Sequence, residues 1–123
     1  GKPAVVASTG VAVYLTRDTI SATMRDVSGF APGSTLAMSF VVPLEHVDAD
    51  EQAALHSAEG GARAAGTPWV SFFPPAEIIE LARDAGFIDA HHVSPNELTE
   101  RYFDGRDDGL RPSSAEHLIV ATT

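Results

Sequence analysis

The chain has 123 residues, with 17 acidic and 8 basic side chains for a formal net charge of −9. Its length suits one domain spanning residues 1–123, and a hydrophobic content of 44% supports a real core rather than disorder. The acidic balance argues against nucleic-acid and anionic membrane partners, and the lack of cysteine excludes disulfides and thiolate chemistry. No apolar run approaches the ~20 residues of a bilayer span. No basic segment leads into a long apolar one, so a cytoplasmic protein is expected.

Ala4 to Ala7 is short, apolar and partly β-branched, and reads as a strand buried on both faces. Thr16 or Asp18 can cap the helix that comes next. Ile20, Met24 and Val27 form one stripe on it, and Gly29 is a natural stop. Ala31-Pro32-Gly33 makes a turn. Thr35 to Val42 then alternates Leu36, Met38, Phe40 and Val42 on one face with Ala37, Ser39 and Val41 on the other, a strand that Pro43 ends. Asp48 to Ala65 is acidic and Ala-rich, with a thin apolar stripe. It reads as a surface helix broken or kinked at Gly60-Gly61. Pro74-Pro75-Ala76-Glu77 opens a helix that buries Ile78, Ile79, Leu81, Ala82 and Ala85 and stops at Gly86. Phe87 to Val93 is a third strand. Ser94-Pro95-Asn96-Glu97 is a capping box for a short helix carrying Leu98, Tyr102 and Phe103. A polar loop, Asp104 to Ser114, leads to a last strand at Leu118 to Ala121. This alternation predicts an α/β layer with a mostly parallel sheet and an antiparallel final pair.

Five histidines raise the question of a metal. His91 and His92 are adjacent on a strand and point to opposite faces. His46 and His56 have no carboxylate at helical ligand spacing, and His117 stands alone at a strand entrance, so no metal is expected. Asp104 to Gly109 places a glycine as a calcium loop does, but Arg106 and Ala115 fill ligand positions, and the loop reads as a solvated turn. None of Ser8, Ser71 and Ser94 lies in a Gly-x-Ser-x-Gly elbow, and Ser94 is better explained as a cap. The Gly60, Gly61 and Gly66 cluster lacks the lysine and the spacing of a phosphate loop. Trp69, Phe72 and Phe73 cluster among prolines, as core under a loop or as the lining of an apolar pocket. Ser8-Thr9-Gly10 comes directly after the first strand, where open parallel sheets bind ligands, and Gly10 permits close backbone approach.

Val6-Ala7-Ser8-Thr9-Gly10, then Tyr14-Leu15-Thr16, resembles a segment of the leucine carboxyl methyltransferase-like family, in its bacterial branch. That family belongs to the class I S-adenosylmethionine-dependent methyltransferases. Pro32 to Leu36, Gly66-Thr67-Pro68-Trp69, Phe73 to Glu77, Gly86-Phe87 and Glu100 to Arg106 continue the resemblance in order. Thr9 stands where many relatives have Glu. The resemblance is to the C-terminal half of such an enzyme. It implies a partial Rossmann-like sheet of about four strands, the family's fourth to seventh, in the order four, five, seven, six. It also implies that the Gly-rich cofactor loop belongs to an N-terminal half outside this chain. S-adenosyl-L-methionine is then the implied cofactor, with Ser8, Thr9 and Gly10 beside it and Tyr14, Trp69, Phe72 and Phe73 shaping the substrate pocket. No catalytic group is assigned. The implied partners are that N-terminal half and, through the free edge of the first strand, a second copy. The competing readings are a self-contained α/β binding or interaction module and a purely structural half that docks on another chain.

Overall fold

A computed structural model describes all residues, Gly1–Thr123. Four strands, β1 (Val5–Ser8), β2 (Thr35–Val41), β3 (Asp89–Val93) and β4 (Glu116–Thr122), form one open sheet in the order β1-β2-β4-β3. β1 and β2 run parallel, and β4 lies antiparallel between β2 and β3. This is the order four, five, seven, six implied by the resemblance.

One face of the sheet carries the core. Leu36, Met38 and Phe40 of β2 and Ile119 and Ala121 of β4 are buried there beneath α1 (Arg17–Ser28) and α3 (Pro75–Ala85). Ile20, Met24 and Val27 come from α1, and Ile78, Leu81 and Ala82 from α3. The spacings of three and four put each set on one helical stripe. The two helices are tied to each other at both ends. Arg17 pairs with Glu77, and the Ser28 hydroxyl donates to the Ala85 carbonyl at 2.6 Å. Thr16 caps α1, its hydroxyl accepting from the Thr19 amide at 3.3 Å. Gly86 ends α3 at φ +109°, and the Phe87 amide then turns back to the Ala82 carbonyl at 3.3 Å.

α2 (Ala49–Ala64) buries none of its residues and crosses the surface as a cover. It runs without interruption through Gly60 and Gly61, so the expected break is absent. Helical glycine costs only about 1 kcal/mol, which a helix of this length absorbs without a kink. α4 (Pro95–Leu98) begins at Ser94, whose hydroxyl accepts from the Glu97 amide at 3.2 Å, and passes into one wide turn over Thr99–Phe103.

Three further expectations need correction. β1 is not buried on both faces: Val5 is 80% exposed, because β1 is an edge strand covered on one side only. The third strand begins at Asp89 rather than Phe87, because Phe87 is drawn into the core by the turn at Gly86 while Ile88 is left in solvent. His117 is not alone. Its Nδ1 lies 2.6 Å from Nε2 of His92, since β4 is inserted beside β3.

The packing predicts unequal costs for two substitutions. Ile119→Ala, at a fully buried site mid-strand, should destabilise by about 2–5 kcal/mol. Ser94→Ala should lose about 1 kcal/mol, the usual worth of a cap. Urea titration of both variants checks the difference.

Candidate active site

β1 and β2 end side by side, and the segments leaving them build the site. The chain beyond β1 turns at Gly10, at φ +70°, a backbone conformation that L side chains rarely adopt. The Gly10 amide donates to the Ser39 hydroxyl at 2.8 Å, which fixes this turn to β2. A single 3₁₀ turn, Ala12–Tyr14, then carries the chain toward α1. The segment before α3 is hung on that turn. The Val70 and Ser71 amides donate to the Val13 carbonyl at 2.8 and 3.2 Å, and the Ser71 hydroxyl donates to the Leu15 carbonyl. The Phe73 amide reaches the Val41 carbonyl at 3.0 Å, and the Val42 amide the Ala115 carbonyl at 3.0 Å.

These bonds close the walls of a cavity of about 200 Å³, lined mainly by apolar groups. Gly10, the 3₁₀ turn, the end of β2, Trp69 and the entry to β4 surround it, and Leu55 of α2 closes one side. A second hollow of about 290 Å³ adjoins it and is lined by Thr9, Leu98, Pro112 and Leu118. Ser39, Ser113 and Glu116 line both, so the two hollows share a wall. Glu116 is the only carboxylate lining either one.

The residues singled out from the sequence divide among these places. Gly10, Tyr14 and Trp69 meet at the apolar cavity, and Thr9 faces the neighbouring hollow. Ser8 ends β1 and lines neither hollow. Phe72 lies against Trp69, with ring centroids 6.4 Å apart, outside the lining. Phe73 is buried in the core beneath the Arg17 guanidinium, 5.9 Å from its ring centroid. Ser71 and Ser94 are spent on structure, as a tie to Leu15 and as a cap. Ser39, Leu55, Ser113 and Glu116 escaped the sequence reading. For Ser39 a signal existed, a polar residue buried in the middle of an otherwise apolar strand.

The His92–His117 pair lines neither hollow and stands at the margin of the core face, with both rings beside Phe40 at centroid distances of 6.2 and 5.9 Å. The rings are nearly parallel, at 11°. Their tautomers are set by one contact. Nε2 of His117 lies 3.0 Å from the Ser114 carbonyl, which can only accept, so Nε2 carries the proton. Nδ1 of His117 is then an acceptor, and His92 must donate from its Nε2. Burial lowers both pKa values below the ordinary 6.5. Glu97 opposes the shift at His92. At His117 the Ser114 carbonyl opposes it, while His92 and His46 reinforce it. No group of three or more histidines and carboxylates is placed to hold a metal.

No protein-family model matches the chain. In sequence it is similar to the Bacillus subtilis (strain 168) protein named "Putative S-adenosyl-L-methionine-dependent methyltransferase YktD", with 28% identity over 123 aligned residues, 91% of this chain and 37% of that protein. In structure it is similar to a Nostoc punctiforme PCC 73102 protein described as a putative O-methyltransferase, at a TM-score of 0.62 and 16% identity, over 97% of this chain and 31% of that one. It is also similar to the S-adenosylmethionine-dependent methyltransferase SibL in its apo form, at a TM-score of 0.58 and 15% identity, over 99% and 32%. A third likeness, at a TM-score of 0.64 and 15% identity over 97% and 38%, is to a Bordetella parapertussis protein named for possible export. The fold is that of Rossmann-like methyltransferases. The sequence similarity is to one protein named as an S-adenosyl-L-methionine-dependent methyltransferase, and the fold is shared with two further methyltransferases. The chain spans 37% of the length of YktD and 31% to 38% of the length of these structures. No helix is long and apolar enough to cross a membrane.

The histidine pair makes stability depend on pH with a defined sign. Both folded pKa values lie below the unfolded value near 6.5, so the unfolded chain takes up protons first as pH falls. Stability should be flat above pH 6.5 and decline below it. His92→Gln, which can still donate to His117 but does not titrate, should flatten that decline. Urea midpoints measured from pH 7.5 to 5 check this, and an unchanged slope would assign the decline to other groups.

Proposed function

We propose that this chain forms the acceptor side of a class I S-adenosylmethionine-dependent methyltransferase, in the leucine carboxyl methyltransferase-like branch, acting on a small acceptor with a carboxylate or hydroxyl oxygen. The observation that carries this reading is the pair of adjoining hollows with the common wall Ser39, Ser113 and Glu116. A transfer between two bound molecules needs two neighbouring sites that meet at one point, and alignment there supplies most of the rate. The hollows lie beyond the carboxyl ends of β1 and β2, where open α/β sheets bind their ligands.

S-adenosylmethionine, when bound, supplies a methyl group on a positively charged sulfur. The fit of this chain to that group is partial. A Cβ built on Gly10 meets nothing within 4 Å, so there is open space beside the backbone for the methyl-bearing end. In this reading Thr9, in the second hollow, and Gly10, on the apolar cavity beside it, border the methyl-bearing end of the donor, Ser8 supports them from the end of β1, and the adenosine and carboxylate ends are held by residues beyond this chain. Tyr14, Trp69 and Leu55 present apolar surface to the acceptor's body. Phe72 and Phe73 act from behind, by holding Trp69 and the end of β2 in place. Glu116 accepts the proton of a hydroxyl acceptor. For an acceptor already ionised it has no proton to take and serves only as a negative wall.

The uncovered side of β1 supports a second element of the proposal. Unpaired strand edges recruit partners. The edge of β1 would take a strand from the remainder of a longer protein, and in its absence a second copy of this chain.

Two measurements test this reading. Isothermal calorimetry on the isolated chain should detect no S-adenosylmethionine binding at ~100 μM, because half of an enclosed site recovers little affinity. Joined to an N-terminal half, the protein should bind and turn over. In that protein Gly10→Val should weaken binding, both by filling the open space and by the strain of φ +70°. Glu116→Gln should lower turnover of a hydroxyl acceptor by about 10²–10⁴-fold. Tight binding by the isolated chain would favour the self-contained binding module instead. Separately, sedimentation of the isolated chain should show a dimer or larger species, and a clean monomer at high concentration would remove the edge argument.

A further inference from the structure

α2 borders the apolar cavity, yet the core holds it by one side chain only. A helix of its length normally buries a stripe of side chains, and α2 buries none. Leu55 is its one partly buried apolar residue packed against the core, and the same side chain lines one side of the cavity. The remaining attachment is polar and concentrated in the first turn. One oxygen of Glu51, Oε2, accepts from the Ser113 hydroxyl at 3.1 Å, the Ser114 amide at 2.8 Å and the Ser114 hydroxyl at 2.8 Å. The Asp48 amide donates to the Ser114 hydroxyl at 3.0 Å. Arg111 pairs with Asp50 at 2.7 Å and reaches Glu51 at 3.7 Å.

The other side of this contact is anchored differently. The Ser114 carbonyl accepts from His117, and the Ala115 carbonyl accepts from Val42, so the Ser113–Ala115 wall belongs to the sheet. If α2 moves, the wall stays, and the bonds to Glu51 are those that break. The ends of α2 suit such motion. Val47, buried, anchors the chain just before the helix, and Gly66, at φ +82°, turns it just after. Gly60 and Gly61 lower the intrinsic stability of its second half.

We propose that α2 is a hinged cover of the apolar cavity, bolted shut by Glu51 against Ser113 and Ser114, and that a ligand enters the cavity when this bolt opens. Its purpose rests on the reading of the cavity as an acceptor site. The motion itself does not, and it can be tested without cofactor or acceptor. Opening is a local unfolding or detachment of one element, with the sheet intact.

The test is hydrogen exchange on the full 123-residue chain, with Glu51→Ala compared with Glu59→Ala. Glu59 pairs only with Arg63 within the same helix. Alanine is the best helix former, so faster exchange in Glu51→Ala cannot come from lower helix propensity. We expect amides of residues 49–64 to exchange at least tenfold faster in Glu51→Ala, with β2 and β4 unchanged and with Glu59→Ala close to the parent. Trp69, the single tryptophan and part of the cavity lining, gives a second readout. Its fluorescence should be quenched more strongly by acrylamide in Glu51→Ala alone. Unchanged exchange in α2 would overturn the proposal, as would acceleration spread evenly over α2, β2 and β4. If the cover opens as expected but the longer protein transfers no methyl group, the functional reading fails and the cover stands.

Discussion

The insertion of β4 between β2 and β3 is the constraint on which the rest depends. Its register pairs Phe40 with His117 and Val41 with Glu116. The chain entering β4 therefore arrives at the end of the sheet where β1 and β2 leave it. Ser113, Ala115 and Glu116 become a cavity wall for this reason alone. The same insertion buries Ile119 in the core and sets His117 diagonally across from His92. It also closes the opposite end of the sheet, where the Thr123 amide donates to the Ser34 carbonyl at 2.9 Å and the Ala4 amide to the Ser34 hydroxyl at 3.1 Å. Displacement of the last strand would open core, cavity and both chain ends together.

The two faces of the sheet are unequal. α1 and α3 cover one face with a continuous core, and the other carries smaller and more polar groups, with Val5 and Ala7 in solvent. Chemistry gathers where the two regimes meet. Ser39 shows this best. It is buried in the middle of β2, and its hydroxyl is satisfied by the Gly10 amide rather than by another strand. An unpaired hydroxyl there would carry a desolvation cost of about 1–3 kcal/mol. The bond to Gly10 removes that cost and at the same time fixes the turn that opens the site.

Local features were legible in the sequence because they rest on local physics. The caps at Thr16 and Ser94, the stripes of α1 and α3 and the stop at Gly86 need only near neighbours. Gly10 and Trp69 could be named from their own segments, a glycine just after the first strand and an aromatic cluster among prolines, and Tyr14 through the resemblance; the structure brings all three to one cavity. Features that could not be read depend on contacts between distant segments. The place of Glu116 on the cavity wall is set by the register of β4. The bond between His92 and His117 needs β3 beside β4. The attachment of α2 through Glu51 joins a helix to a loop more than sixty residues away. The exposure of Val5 depends on which strands lie beside β1, a matter that the apolar pattern of Ala4 to Ala7 does not address. Phe73 settles a choice that composition left open between core and pocket lining: its amide bonds to Val41 and its ring is buried in the core.

The central claim is that the two hollows meeting at Ser39, Ser113 and Glu116 are the donor and acceptor sides of one methyl-transfer site. The most direct measurement is a crystal structure of this chain joined to an N-terminal half, with S-adenosylhomocysteine bound. The account predicts the thioether sulfur in the hollow that Thr9 lines, aimed past Gly10 and the common wall toward the cavity that Trp69 and Leu55 line. A sulfur placed away from Gly10, with that cavity closed off from it, would contradict the account.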